Sequence, residues 1–322
     1  MKAIRVHQIG EPDVMQLEEV AVPQPGPGQA LVKIEASGVN FIDIYERTGV
    51  YPMPLPFTPG DEGAGVVEAV GPDVETVSPG DRVAYCMVPG TYSQYTLAPS
   101  ERLVAVPESL SLRQAAAVLL QGTTAHYLTR STYPLKPGET CLIHAAAGGT
   151  GQLLVQAAKI AGATVIGTVS TAEKEAIARQ AGADYVVRYT QTDFAEETKK
   201  ITNGVGVDVV YDSVGQSTFE QSLSVLRPRG MLVLFGHSSG KVPPFDLLRL
   251  NRAGSLYVTR PTLGHYLAER DELVWRTTDV FNWLAAGKLS LRIERELPLA
   301  EAAEAHRLLS SRKTAGKLLL IP

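Results

Sequence analysis

Residues 140–151 read TCLIHAAAGGTG, and this stretch decides how the middle of the chain is organised. An apolar run typical of a strand passes into a glycine-rich turn, and a helix-like run follows at 152–161. Strand, turn and helix in this order bring backbone N–H groups to a helix N-terminus, where they can bind the pyrophosphate of a dinucleotide. The pattern departs from G-x-G-x-x-G, because Ala146 holds the first position while Gly148 and Gly151 hold the others. Its context favours a dinucleotide site over a merely tight turn.

The alternation of strand-like and helix-like segments continues beyond this motif. Short apolar runs at 163–169, 185–187, 207–211 and 231–235 alternate with helix-like segments. Such alternation indicates a parallel sheet covered by helices on both faces. The sequence therefore predicts an α/β fold with a doubly wound, Rossmann-type nucleotide-binding domain over residues 124–260.

The flanking segments follow a different pattern. Residues 1–123 contain short strands punctuated by Gly and Pro, for example at 30–36 and 64–70, as in a β-rich, partly barrel-like unit. Residues 261–322 contain two amphipathic helices and a strand-like end, and about sixty residues are few for an independent core. We therefore expect this tail to pack back on the N-terminal unit, with the nucleotide-binding domain as an insertion.

The segment after the second predicted strand bears on the choice of dinucleotide. NAD-binding domains usually carry an acidic residue about 20 residues beyond the glycine turn, where it accepts the ribose hydroxyls. Here residues 167–170 read GTVS and contain no carboxylate. Ser170 and Glu173 form a predicted capping box, and Lys174 places a cation in a first helical turn, where an anion is expected nearby. The 2′-phosphate of NADPH would supply that anion; the alternative is a solvated surface lysine.

Composition excludes several other classes of protein. The chain has 322 residues with 30 basic and 34 acidic side chains, a net charge of −4, so nucleic acid is not expected as its main partner. Cys86 and Cys141 are the two cysteines, too few for a disulfide framework, and they fit a reducing compartment. Without a signal-like start or an apolar run of about 18 residues, the sequence predicts a cytoplasmic protein with no membrane partner.

Three motifs in the first domain carry a family resemblance. From residues 40–43, NFID, through 60–65, GDEGAG, to 80–83, GDRV, the chain resembles the medium-chain dehydrogenase/reductase superfamily. Members that bind catalytic zinc have Cys where Asn40 falls and His where Asp61 stands, and their structural zinc needs four closely spaced cysteines. The resemblance therefore implies a protein that binds no metal.

Five longer stretches narrow the resemblance to the zinc-free quinone oxidoreductase branch, which includes ζ-crystallin and bacterial NADPH:quinone reductases. They lie at residues 40–52, 144–151, 209–215, 235–240 and 254–261. The branch implies a GroES-like catalytic domain formed by the two flanking segments. It also implies NADPH as cofactor and a small-molecule quinone or enone as substrate.

The resemblance further assigns site residues. Those implied in catalysis, by contact with the substrate, are Asn40, Tyr45 and Tyr51, and Tyr45, Tyr51 or water could serve as proton donor. Those implied in cofactor binding are Asn40, Phe41, Asp43, Tyr45, Tyr127, Gly148, Gly149, Thr150, Gly151, Ser170, Lys174, Tyr189, Ser213, Phe235, Gly236, Ser238, Arg260 and Lys317. Tyr45 and Tyr51 could instead be ordinary half-buried aromatic residues, and Asn40 could simply hold a turn.

The function expected from these features is zinc-independent reduction of quinones by NADPH, with hydride passing from the nicotinamide to the acceptor in a cleft between the domains. One alternative is NADPH-dependent reduction of the double bond in α,β-unsaturated carbonyl compounds. Another is a cofactor-binding structural or RNA-binding protein, which the acidic balance disfavours. The terminal strand predicted at 254–258 would expose its edge in a monomer, so we expect a homodimer.

Overall fold

A computed structural model of the chain describes residues 1–311 and 313–322. Its strands, in chain order, are β1 Lys2–Val6, β2 Met15–Glu19, β3 Gln29–Val39, β4 Glu62–Val70, β5 Arg82–Cys86, β6 Tyr95–Pro99, β7 Val104–Ala105, β8 Thr140–Ile143, β9 Thr164–Val169, β10 Tyr185–Arg188, β11 Val207–Asp212, β12 Leu226–Leu234, β13 Tyr257–Thr259, β14 Ile293–Pro298 and β15 Lys317–Ile321. Its α-helices are α1 Phe41–Arg47, α2 Leu112–Tyr127, α3 Gly149–Ile160, α4 Ala172–Gln180, α5 Phe194–Ile201, α6 Phe219–Ser224, α7 Leu248–Arg252, α8 Leu263–Tyr266, α9 Arg270–Ala285 and α10 Ala302–Ser310. Among the residues so described, no helix is long and apolar enough to span a membrane.

The described chain divides into two compact units. The first comprises Met1–Thr123, Leu267–Gly287 and Leu291–Pro322, and the second comprises Thr124–Tyr266 and Lys288–Ser290. The division after Thr123 falls inside α2, and the first unit resumes at Leu267 rather than at residue 261.

Side-chain contacts of Tyr266 explain why the first unit resumes at Leu267 and not at residue 261. Tyr266, at the end of α8, stacks its ring on Tyr127 with centroids 4.3 Å apart, and its hydroxyl accepts a hydrogen bond from Thr132 at 2.9 Å. These contacts keep residues 261–266 with the second unit.

The second unit is built on six strands in the order β10-β9-β8-β11-β12-β13, all parallel. Leu142, Ile166, Val210 and Leu232 are fully buried and form a continuous row through its centre, since paired strands place them side by side. Burying such a side chain stabilises the fold by about 1.5–3 kcal/mol. The predicted doubly wound parallel sheet is confirmed.

The first unit contains a seven-stranded sheet with the path β14-β15-β3-β4-β5-β7, in which β6 also pairs with β3. The C-terminal strand β15 pairs antiparallel with β3, so that Leu318 lies opposite Val39. Val39, Leu318 and Leu320 are buried in one core with Ala305 of α10. This pairing joins the C-terminal residues to the N-terminal segment and fixes Lys317 beside the end of β3.

Candidate functional site

The glycine turn in the second unit has the geometry of an anion-binding helix start. Gly148 is the N-cap of α3, and Gly148, Gly149 and Thr150 are partly exposed. A side chain at Gly151 would collide with the carbonyl oxygen of Ala145, so glycine is needed where the helix packs on the preceding turn. The N–H of Gly148 donates to the Ala145 carbonyl at 2.9 Å, and the N–H groups of the first helical turn that follow it are available to a phosphate.

Three predicted phosphate-binding residues lie at the carboxyl ends of β9 and β10. Ser170 follows β9 directly, and the backbone N–H of Tyr189 donates to Val169 at 3.1 Å, which brings Tyr189 alongside. Lys174 stands in the first turn of α4, and burial lowers the pKa of its ammonium. The N-cap of α4 is Thr171, whose side chain accepts from the Lys174 N–H, so the capping box predicted from Ser170 to Glu173 is wrong by one residue.

The buried Asp212 accepts hydrogen bonds from both the loop after β11 and the loop after β12. Both backbone N–H groups that follow Ser213, those of Val214 and Gly215, donate to Oδ1 of Asp212, at 2.7 and 3.0 Å. The carbonyl oxygen of Asp212 accepts from Phe235 at 2.8 Å. Four predicted cofactor residues, Ser213, Phe235, Gly236 and Ser238, are therefore brought to one place, and all are partly exposed.

Arg260 lies beside the same loops. One of its guanidinium nitrogens is 3.2 Å from Nδ1 of His237. Burial, followed by the charges of Arg260 and Lys241, lowers the pKa of His237, so this imidazole is neutral next to two cations. Tyr127, by contrast, is 2% exposed and packed under Tyr266, in the interior of the unit.

In the first unit, α1 carries Phe41 and Tyr45, and Tyr51 follows the helix. The ring centroids of Phe41 and Tyr45 are 6.2 Å apart, and those of Tyr45 and Tyr51 are 5.4 Å apart at 67°. The backbone N–H of Tyr51 donates to the Tyr45 carbonyl at 3.0 Å, which fixes Tyr51 to the end of the helix. Tyr51 is 37% exposed, so the three rings form an aromatic wall with one accessible end. We call Phe41, Tyr45 and Tyr51 the aromatic wall.

Asn40, just before α1, is fully engaged inside the unit. Its Nδ2 donates to Gly38 O at 3.1 Å and to Glu62 Oε2 at 2.9 Å, and its Oδ1 accepts from Lys317 Nζ at 2.7 Å. Lys317 also forms an ion pair with Glu62, and both side chains are buried. Both N–H groups of the Asn40 amide are thus engaged within the unit, and neither is left for a substrate carbonyl.

Three carboxyl groups, two from α1 and one from the segment before β4, are buried close together. Asp43, Glu46 and Asp61 each place one oxygen within 4.8 Å of the others. Burial and the neighbouring Asp61 raise the pKa of Asp43 to about 8 and that of Glu46 to about 9, and burial raises the pKa of Asp61. Asp43 is completely buried and accepts hydrogen bonds from the Asn40 N–H at 2.7 Å and the Tyr92 hydroxyl at 2.8 Å, so it faces the interior.

Sequence reasoning did not identify Glu46 and Glu62 as important. The acidic pair Asp61-Glu62 at the start of a buried strand was an available signal, because carboxylates are rarely buried without a partner. The partners themselves come from distant segments, and no local pattern reveals them. The assignment of the predicted residues to cofactor and substrate stays a prediction.

Comparison with known proteins agrees with the two-unit architecture. The family profile for the alcohol dehydrogenase GroES-like domain matches residues 26–108, and the profile called zinc-binding dehydrogenase matches residues 149–274. The chain is 46% identical to a 2-haloacrylate reductase of Burkholderia sp over 98% of each chain. It is 45% identical to quinone oxidoreductase 1 of Escherichia coli over 99% of each chain. The crystal structure of Escherichia coli quinone oxidoreductase complexed with NADPH superposes with a TM-score of 0.98 over the whole of both chains, at 44% identity.

The chain therefore belongs to the medium-chain dehydrogenase/reductase superfamily. Within that superfamily its similarity to quinone oxidoreductases and to a 2-haloacrylate reductase extends over the full length. The predicted combination of a GroES-like domain with a Rossmann domain is confirmed.

Although one matching profile is named for zinc, the residues of this chain do not fit a zinc ion. The Asn40 amide is occupied by the ammonium group of Lys317, whose positive charge would repel a cation. Within residues 1–311 and 313–322, the one group of three potential ligands is the carboxyl cluster Asp43, Glu46 and Asp61, which offers oxygen only. Cys86 is buried, and burial raises the pKa of its thiol to about 12, which disfavours the thiolate that zinc needs.

Proposed function

We propose that this protein reduces quinones with NADPH and without a metal ion. The observation that carries the proposal is the carboxyl end of β9, where residues 167–170 contain no carboxylate and Lys174 stands in the first turn of α4. A cation at this position is stabilised by the 2′-phosphate of NADPH, whereas NADH offers no such anion. Similarity to an Escherichia coli quinone oxidoreductase whose structure contains NADPH supports the same cofactor.

The aromatic wall supports a planar acceptor. Flat conjugated rings stack on tyrosine faces and edges, and Tyr51 offers an accessible ring. Bound NADPH supplies a hydride, and a quinone that takes up this hydride and one proton becomes a hydroquinone. Because the Asn40 amide is engaged with Glu62 and Lys317, we assign it to holding the start of α1 rather than to contact with the acceptor.

The test is steady-state kinetics of the purified protein with NADPH and para-benzoquinone, followed by loss of NADPH absorbance and by detection of hydroquinone. We expect turnover with NADPH, much weaker turnover with NADH, and no change after dialysis against a chelator. Intact NADPH binding without reduction of any quinone would refute the proposal and favour the alternative of a cofactor-binding structural or RNA-binding protein.

A second candidate function is reduction of the carbon–carbon double bond in α,β-unsaturated acids or carbonyl compounds. The observation that favours it is the 46% identity to a 2-haloacrylate reductase over nearly the whole chain. The same cofactor would serve both reactions. Comparing kcat/KM for para-benzoquinone, 2-chloroacrylate and an enone in one preparation decides between them.

We propose further that the protein is a homodimer in a reducing, cytoplasmic environment. The last strand of the six-stranded sheet, β13, exposes Tyr257 by 57%, and Leu247, at the start of α7, is exposed by 71%. Exposed apolar side chains beside an unpaired strand edge are typical of an interface. Cys86 and Cys141 are both buried free thiols, which fits a reducing compartment.

A further inference from the structure

Helix α1 has two faces of opposite chemistry. One face carries Phe41 and Tyr45 of the aromatic wall, with Tyr51 attached through its backbone. The other buries Asp43 and Glu46, which follow each other at the helical spacing of three residues. A helix of seven residues is too short to be stable by itself, so its position depends on what packs against the buried face.

The groups against that face are mostly acidic. Asp61, from the segment before β4, places a carboxyl oxygen within 4.8 Å of oxygens of Glu46 and Asp43, and its charge is among the causes that raise the pKa values of those two residues. Each of the three carboxyl groups has one buried oxygen with no hydrogen-bond partner among the described residues. The carboxyl groups thus lie close together with few donors to stabilise negative charge.

The remaining charged or titratable neighbours neutralise this cluster only in part, because the Tyr92 hydroxyl and the charge of Lys317 lower the pKa of Asp43 less than burial and Asp61 raise it. They are Arg47 of α1, Tyr92 of the loop before β6, His306 of α10 and Lys317 of β15. Burial and the charge of Arg47 lower the pKa of His306 to about 3, so its imidazole is neutral. Lys317 is paired with Glu62, and the electrostatic partners of Arg47 include Glu11 and Asp13 rather than the cluster.

We propose that Glu46 and Asp61 are positioning residues for the aromatic wall: the buried, closely spaced carboxyl pair holds α1, and with it Tyr45 and Tyr51, in place for as long as the pair keeps one proton. Loss of that proton puts two like charges side by side in a buried location, which the fold relieves by moving or opening the short helix. The inference rests on the proposed function only where it takes the wall as the substrate site. The pair itself is a property of the first unit.

Hydrogen exchange provides the decisive measurement. The wild-type protein and the double variant Glu46→Gln/Asp61→Asn are compared by mass spectrometry on peptides covering residues 40–48, at neutral pH and about one unit above the pKa of Glu46, after correction for intrinsic exchange. We expect the wild-type helix to lose at least tenfold in protection at the higher pH while the double variant keeps it. Glu46→Gln should lie in between, and Glu108→Gln, which changes an exposed acid of the same unit, should behave as wild type.

Steady-state kinetics then test whether the position of α1 affects binding of the quinone. In the wild type, KM for para-benzoquinone should rise at least threefold over the same pH interval while the dissociation constant of NADPH, measured by titration, stays constant. The double variant should show no such rise in KM. Equal loss of protection in the wild type and the double variant would overturn the proposal. Absence of quinone reduction at every pH would instead refute the proposed function, while the exchange data would still decide the role of the pair.

Discussion

Lys174 is the residue that we expect to distinguish the two nicotinamide dinucleotides in this chain. Lys174 lies in the first turn of α4, where the helix dipole disfavours a cation and a bound phosphate would offset that effect. A charge-assisted hydrogen bond to a phosphate contributes about 1.5–3 kcal/mol. Lys174→Ala should therefore weaken NADPH binding by about ten- to a hundredfold and leave NADH binding nearly unchanged. Lys199→Ala, on the exposed side of α5, is the control, and equal losses for both cofactors in Lys174→Ala would assign the residue to folding.

Lys317 and Glu62 form a buried ion pair whose two members should be strongly coupled. Lys317 is 1% exposed and Glu62 is fully buried, so Lys317→Met leaves a carboxylate without its counter-ion. Such a change costs about 3–5 kcal/mol of unfolding free energy. Adding Glu62→Gln should restore most of that loss, because the neutral amide needs no counter-ion and still accepts from the Leu120 N–H, which bonds Glu62 Oε1 at 2.7 Å. Denaturant unfolding of both single variants and the double variant measures this coupling, and additive losses would contradict it.

Helix α1 links the protonation of its buried carboxyl groups to the stability of the first unit. The pKa of Asp43 rises from 3.8 to about 8 and that of Glu46 from 4.5 to about 9 on folding. The folded state therefore binds more protons than the unfolded state between these values, so the stabilising contribution is complete below about pH 4 and is lost as pH rises through 8 to 9. Each group can change the unfolding free energy by about 1.4 kcal/mol per pH unit in that window.

Unfolding as a function of pH should reveal this slope. We expect the unfolding free energy of the wild type to decline from pH 5 toward pH 9, and Glu46→Gln to decline less steeply, so that the variant is the more stable protein at the alkaline end. Thermal or urea unfolding in buffers of constant ionic strength measures both curves. Parallel curves for the two proteins would show that Glu46 does not titrate in this range.

Over the whole chain, the periodicity of the sequence predicted the fold well but the candidate functional site only partly. Leu142, Ile166, Val210 and Leu232 lie in continuous apolar runs of the sequence, which predict strands. Such runs are expected because the strands of a parallel sheet are buried on both faces. Ser170 and Ser213 directly follow two of these strands, while their contact with a cofactor stays a prediction. The Glu46–Asp61 pair could not be predicted in this way, because its members lie on separate segments and burial of a charged side chain leaves no periodic signal.

The assembly expected of the whole molecule can be tested through the two edges of the six-stranded sheet. Strand β13 forms one edge, with Tyr257 exposed by 57%, and β10 forms the other, with Tyr185 exposed by 45%. If two copies pair through β13, Tyr257→Lys places like charges together at the interface and should shift the protein from dimer to monomer at micromolar concentration, whereas Tyr185→Lys should leave the dimer intact. Sedimentation velocity distinguishes the species. A wild-type protein that sediments as a monomer, or a dimer that tolerates Tyr257→Lys as well as Tyr185→Lys, would show that β13 does not form the interface.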